Sequence, residues 1–165
     1  MVLQQRHGKT EISAGGIVFK VDLSGIPKWL IVQHSKHKGW IFPKGLVGDK
    51  IDGEEKEETA IREVEEEGGV KARICWKKPF TGSYIYFFQG QKIFKTVYFY
   101  LMEYLSGDIN NHDNEVSDAK WLATEETEKL LSYTVDREIF RKAVDIQSRG
   151  LCSLMDRALG SEPKG

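Results

Sequence analysis

Apolar and polar positions along this chain fall into two rhythms. From Glu11 to Lys20 (EISAGGIVFK) and from Lys28 to His34 (KWLIVQH), β-branched and aromatic residues crowd into short runs, divided by the turn-forming Asp22-Leu23-Ser24-Gly25-Ile26-Pro27. Runs of this kind suit a pleated, half-buried surface, so both predict strands. The following SKHKGWIFPKGLVGDKIDG is too broken by Gly and Pro for a helix and is expected to be a binding loop. Past it the rhythm becomes helical. Asp52 with Glu55 reads as a capping box, Ala60, Ile61 and Val64 form a narrow apolar stripe, and Gly68-Gly69 supplies the stop. Strand patterns resume in KARICW, SYIYFFQ and IFKTVYFYLMEYL, the last two joined as a hairpin around Gln89-Gly90-Gln91, and DAKWL is a final short strand. Helical spacing returns near 124–132 and 136–148. Strands around an early helix, ending in helices, predict a layered α/β or α+β domain.

Length and composition narrow this further. A chain of 165 residues, 40% hydrophobic, can build one sizeable core, so a single domain over residues 1–159 is expected, with 160–165 (GSEPKG) as a flexible tail. The 24 basic and 25 acidic residues leave a net charge of −1, so no global field points to nucleic acid or to a membrane, and any anion binding must be local. No apolar run approaches a membrane span, and the start MVLQQRHGKTE lacks the apolar core of a secretory signal; a cytoplasmic protein is expected. Cys75 and Cys152 lie far apart without CxxC spacing and are read as reduced and structural.

The unusual stretch is REVEEEGGV, residues 62–70, with four carboxylates in six residues. On a helix Glu63, Glu66 and Glu67 stand at i, i+3 and i+4 and are expected to converge on one face, where each like-charge pair costs about 0.2–0.5 kcal/mol and only Arg62 is at hand to neutralise them. A glutamate run is most often a solvated helix face. The alternative is a divalent cation, for which an all-oxygen donor set favours Mg²⁺ or Mn²⁺ over zinc, and which implies a phosphorylated substrate.

The wider spacing favours the second reading. From Gly48 to Val70 the chain carries G-x5-E-x7-R-E-V-x-E-E-x-G-V, and there it resembles the Nudix hydrolases, whose signature has this spacing with aliphatic residues at the positions of Val64 and Val70. The resemblance covers residues 48–70 directly and implies a Nudix-type αβα sandwich with a mixed β-sheet, fold class α/β (α+β). It implies an enzyme acting on phosphorus-containing anhydrides. Divalent ions held by Glu63, Glu66 and Glu67 would neutralise phosphate charge and activate the attacking water, with Arg62 and Glu54 supporting the ligands. The family's signature glycine usually belongs to a P-x-G turn, here Pro43-Lys44-Gly45. Either Gly48 fills that role, or the loop from Gly45 to Glu54 carries a three-residue insertion. The segment Trp40-Ile41-Phe42-Pro43-Lys44-Gly45 is similar to a familiar family segment and favours the insertion, with the main-chain carbonyl of Lys44 or Gly45 completing the metal site.

Other residues admit two readings each. Glu115, ahead of Trp121, matches a glutamate that relatives cleaving dinucleoside polyphosphates or capped RNA often carry; it is a candidate metal ligand or general base, or a solvated loop carboxylate, and Asp113 is a weaker substitute. Lys44, Lys36 and Lys38, with His37, are candidate phosphate contacts or a solvated basic loop; Lys95 is a further candidate for a distal phosphate. Tyr84, Tyr86, Phe88, Phe94, Tyr98 and Tyr100 are read mainly as core, with base stacking as the alternative. His7, His34 and His112 show no partner spacing. The resemblance thus implies a Mg²⁺- or Mn²⁺-dependent pyrophosphohydrolase acting on a small nucleoside polyphosphate such as a dinucleoside tetraphosphate. Alternatives are a (d)NTP or RNA 5′-pyrophosphate hydrolase, a diphosphoinositol polyphosphate hydrolase, or a non-catalytic nucleotide sensor. No membrane partner and no stable nucleic-acid partner is expected, and oligomeric state is left open.

Overall fold

The structure, a computed structural model, describes residues 8–152. His7 and the expected tail lie outside the described residues. Eight strands form one mixed sheet. Its spine is the parallel pair of β1 (Lys9–Val21) and β7 (Gln91–Gly107), in register from Lys9 opposite Ile93 to Phe19 opposite Glu103. After the turn at Asp22, whose carboxylate accepts the Ser24 and Ile26 amides, β2 (Pro27–His34) returns antiparallel along β1. Flanking β2 are β3 (Trp40–Ile41) and β8 (Val116–Ala123), while β4 (Lys44–Leu46) pairs with β1 near its start. Along the other side of β7 run β6 (Phe80–Phe88) and β5 (Val70–Ile74).

Alternation along β1 splits the core in two. Ile17 and Phe19 join Trp29, Phe42, Phe99 and Leu101 beneath α3 (Thr134–Ser148), which contributes Ile139 and Phe140. Ala14 and Val18 join Leu30, Tyr100 and Met102 beneath α1 (Lys56–Gly68), which contributes Ala60 and Val64. The result is the expected αβα sandwich with a mixed sheet. A short helix, α2 (Thr124–Leu130), leads into α3, and Trp29 at the centre donates its ring N–H to Thr124 Oγ1 at 2.9 Å. No helix of the described residues is long and apolar enough to cross a membrane.

Four expectations are corrected. The segment between β2 and α1 is not all loop, because β3 and β4 lie within it. The capping box does not form: Glu55 is the N-cap and its side chain caps nothing. Phe88, Phe94 and Tyr86 are exposed, at 59%, 40% and 36%, because the β6–β7 hairpin runs past both helical layers, whereas Tyr84, Tyr98 and Tyr100 pack inward. Cys75 and Cys152 are joined as a disulfide, with both side chains buried and Cα atoms 4.9 Å apart. Their sequence separation of 77 hides that the chain leaving β5 and the end of α3 meet in one layer.

Candidate active site

The carboxylates sit on α1, which ends where Gly69 adopts a left-handed conformation (φ 74°) and its amide closes on the Glu65 carbonyl. A glycine takes that conformation without the Cβ clash other residues meet. With the helix terminated there, Glu63 and Glu67 lie one turn apart against the sheet and are both buried, Glu66 is half-buried, and Glu65 is left in solvent.

One guanidinium organises the cluster. Arg62 grips Glu54 with two parallel bonds, Nε to Oε2 and Nη2 to Oε1, each 2.9 Å, and its Nη1 reaches Glu63 Oε1 at 2.9 Å and Glu66 Oε2 at 3.2 Å. Thr59 donates a further 2.6 Å bond to Glu54 Oε1. The fork geometry that makes arginine a bidentate partner fixes Glu54 as the anchor and orients the other two. Hydrogen bonding to Arg62 holds the Glu54 carboxyl below its usual range, and Glu54 in turn raises Arg62. Lys50 adds a second cation, 2.6 Å from Glu66 Oε2, and its amine is raised first by Glu66 and then by Glu63 and Glu115.

The three helix carboxylates are not equivalent. Burial pushes Glu63 up despite Arg62. For Glu66, burial acts upward but the bonds from Lys50 and Arg62 outweigh it, leaving the group lowered. Glu67 is pushed up to about 8 by burial, only partly offset by the Lys44 amide, which donates to Oε2 at 3.0 Å. Glu63 and Glu66 meet on one Arg62 nitrogen, but among the described residues no group of three His, Cys, Asp or Glu side chains is disposed to hold a metal ion as they stand: Arg62 and Lys50 take oxygens of Glu63 and Glu66, and the Lys44 amide takes one of Glu67. The donor set nevertheless suits a hard divalent cation. It is all oxygen, and in Glu67 it holds a buried carboxylate short of compensating charge, which such a cation would supply.

Around this cluster the structure gathers most of the sequence candidates. Gly45 packs directly on the Glu63 carboxylate. Asp113 donates its amide to the Glu66 carbonyl at 2.8 Å, pinning the 108–115 loop to the end of α1; exposed Glu115 lies on that loop, its amide bonded to Asp113 Oδ1 and its field reaching Lys50. On the α3 side, Lys44, Lys95, His34 and His37 feel one another: burial followed by the Lys44 charge lowers Lys95 and His37, and burial followed by His37 and Lys44 lowers His34. His34 and His37 stack at 4.1 Å, with Tyr133 against His37. Lys36 and Lys38 are exposed in the β2–β3 turn. Lys50 and Thr59 were missed. Thr59 stands four residues before Glu63 on the same helical face, so the helical period could have assigned it, whereas Lys50 lies in the loop before the helix, where no period reaches.

Comparison with known proteins gives consistent matches. A family model described as NUDIX domain matches residues 3–143. A Mycobacterium tuberculosis (strain CDC 1551 / Oshkosh) protein named MutT4 is 35% identical over 121 residues, covering 70% of this chain and 46% of that protein, so the chain spans less than half of that relative's length. Among solved structures, a C. elegans Ap4A hydrolase superposes with a TM-score of 0.64 at 25% identity, covering 84% of this chain and 98% of that one. The NUDIX domain of Shewanella oneidensis NrtR, complexed with ADP ribose, superposes with a TM-score of 0.61 at 19% identity, covering 89% of this chain and 94% of that one, a likeness of fold. The family model takes in nearly the whole described chain, with the acidic helix at its centre, and this chain belongs to the Nudix family.

Proposed function

We propose that this protein is a divalent-metal-dependent pyrophosphohydrolase that cleaves a phosphoanhydride bond in a nucleoside polyphosphate, a dinucleoside tetraphosphate of the Ap4A type being the best fit. The observation that carries this is the pairing of two charge zones across β4. Glu63, Glu66 and Glu67 stand on one side, and Lys44, Lys95, His34 and His37 extend from the other, linked through the Lys44 amide on Glu67. A zone of carboxylates beside two lysines, with the lowered His34 and His37 rings next to them as neutral hydrogen-bonding groups, suits a chain of several phosphates better than a single one. The likeness to the C. elegans Ap4A hydrolase supports the same choice.

Glu63, Glu66 and Glu67 would hold Mg²⁺ or Mn²⁺, with a main-chain carbonyl of Lys44 or Gly45 as a further donor. A cation there neutralises charge on the phosphate oxygens and lowers the pKa of the attacking water. The protein's own groups do the rest. Arg62 fixes the rotamers of Glu63 and Glu66 through its anchor on Glu54, and Lys44 and Lys95 hold the phosphates that are not attacked. Glu115, exposed beside Lys50, accepts the proton as water adds to phosphorus; the bridging P–O bond breaks and the leaving phosphate takes its electron pair.

The test is a panel of dinucleoside tri-, tetra- and pentaphosphates, dGTP, pyrophosphate-capped RNA, ADP-ribose and a diphosphoinositol phosphate, each with Mg²⁺ and with Mn²⁺. Asymmetric cleavage of the tetraphosphate to mono- and triphosphate is expected. A clear preference for ADP-ribose or the inositol compound would sink the dinucleotide assignment and leave the hydrolase intact; no turnover of any substrate with either metal would sink both.

A further inference from the structure

The β6–β7 hairpin carries a feature that the site does not use. The outer edge of β6 pairs with no strand among the described residues, so it offers a row of free backbone donors and acceptors. Edges like this are normally blunted with a charge, a proline or a bulge. Here none is present: from Phe80 to Gln91 (FTGSYIYFFQGQ) there is no charged residue and no proline, and the register with β7 is unbroken from Phe80 opposite Phe99 to Phe88 opposite Gln91. The strand is also apolar where it is exposed. Ile85, Phe87 and Phe88 are 61%, 71% and 59% exposed, and Phe94 lies opposite Ile85 at 40%.

We propose that β6 pairs antiparallel with β6 of a second copy of this chain, joining two sheets into one across a twofold axis. Three observations select a second copy over another partner. The edge strand itself carries no charge, so two copies meet along it without repulsion; the nearest charges, Lys92 over Phe94 and Glu11 on the Tyr86 hydroxyl, belong to the strands behind it. Ile85 and Phe87 line one face of the edge strand and Phe88 the other, all exposed, so pairing along the edge would bring apolar side chains against their symmetry mates on both faces. Symmetric pairing also consumes both free edges at once, so the assembly closes as a dimer and does not propagate.

The register follows from the pleat. Residues opposite one another must share a sheet face, so the twofold axis passes through a residue of β6. Placing it at Tyr86 sets Ile85 against Phe87 of the partner copy twice, and Tyr84 against Phe88 twice, which is the register richest in apolar cross-strand pairs. The helices pack on the faces of the sheet, α3 meeting β6 through Gly82, so they leave the edge open.

Size-exclusion chromatography with light scattering on the whole protein at micromolar concentration is expected to give twice the chain mass. Ile85→Lys and Phe87→Lys would each place two charges in the seam and weaken the dimer by at least about 100-fold, giving monomers with an unchanged circular dichroism spectrum and unchanged turnover. Tyr86→Cys is expected to cross-link to itself under mild oxidation, and Ser83→Cys is not. A wild-type monomer throughout the concentration series overturns the proposal, as does a dimer that survives both lysine substitutions. Because the readout is mass and cross-linking, these outcomes are independent of which substrate the site takes.

Discussion

Gly45 faces the Glu63 carboxylate so closely that a Cβ on the glycine would stand 2.1 Å from Oε1 and 2.2 Å from Cδ. Gly48, by contrast, has nothing within 4 Å of its Cβ position and is set apart only by a φ of 76°. Gly45→Ala is therefore expected to displace Glu63 and lower kcat by about 10²-fold or more, as a misplacement of about 1 Å in a catalytic constellation does. Gly48→Ala should cost about 1 kcal/mol of stability through its left-handed backbone and spare turnover. The reverse ranking in steady-state kinetics would return the signature role to Gly48 and remove the case for a three-residue insertion.

Glu66 and Glu67 should separate when each is changed to Gln. Both substitutions are expected to abolish most hydrolysis, since an amide is a poor ligand for Mg²⁺. Stability in chelator should move in opposite directions. Glu66 is paired with Lys50 and Arg62, so its loss leaves cations unmatched and lowers Tm, whereas Glu67 is buried with its carboxyl pushed up to about 8, so a neutral amide raises Tm. A thermal melt of either variant in EDTA checks this, and equal shifts would refute the division of roles.

Asp136, almost fully buried in the first turn of α3, accepts a bond from the Tyr84 hydroxyl, and burial pushes its carboxyl up while Tyr84, Lys44 and Arg137 oppose this. A raised folded-state value means that the protonated form is favoured by folding, so the wild type is most stable below the usual carboxylate pKa of about 4 and loses that contribution as pH rises. Asp136→Asn keeps an acceptor for Tyr84 and has nothing to ionise. The variant is expected to gain on the wild type as pH is raised from about 4 toward 7, by a few °C in Tm at roughly 2–4 °C per kcal/mol. A Tm difference independent of pH would contradict the assignment.

The disulfide between Cys75 and Cys152 closes a loop spanning a sequence separation of 77. Cross-links of this reach stabilise by about 2–5 kcal/mol, so reductant should lower Tm by roughly 10 °C. Cys152→Ser is expected to melt at the reduced value with or without reductant. Two free thiols found by titration of the unreduced, denatured protein would rule the pairing out.

Glu115→Gln tests the proton acceptor. If Glu115 is the base, turnover should fall by about 10²–10⁴-fold, with the loss shrinking at high pH where hydroxide supplies the nucleophile. A loss that excess metal restores would instead make it a ligand.

Features carried by a local period or a local stop could be read from the chain before it folds. The strands at Glu11–Lys20 and Lys28–His34, the helix ended by Gly68-Gly69, and the face shared by Glu63, Glu66 and Glu67 all follow from spacings of two and of three to four residues, which the backbone imposes on any chain. The supporting place of Arg62 and Glu54 was implied by the family resemblance; that the two grip each other, with Glu54 just ahead of the N-cap Glu55, is seen in the folded chain. Contacts between distant segments came only with folding. That Lys50 lands on Glu66, that the Lys44 amide rather than a side chain faces Glu67, that Cys75 reaches Cys152, and that Tyr86, Phe88 and Phe94 outrun the helical layers are consequences of where loops close and layers stop. Those outcomes are set by packing between segments far apart in the chain, and no periodicity within one segment encodes them.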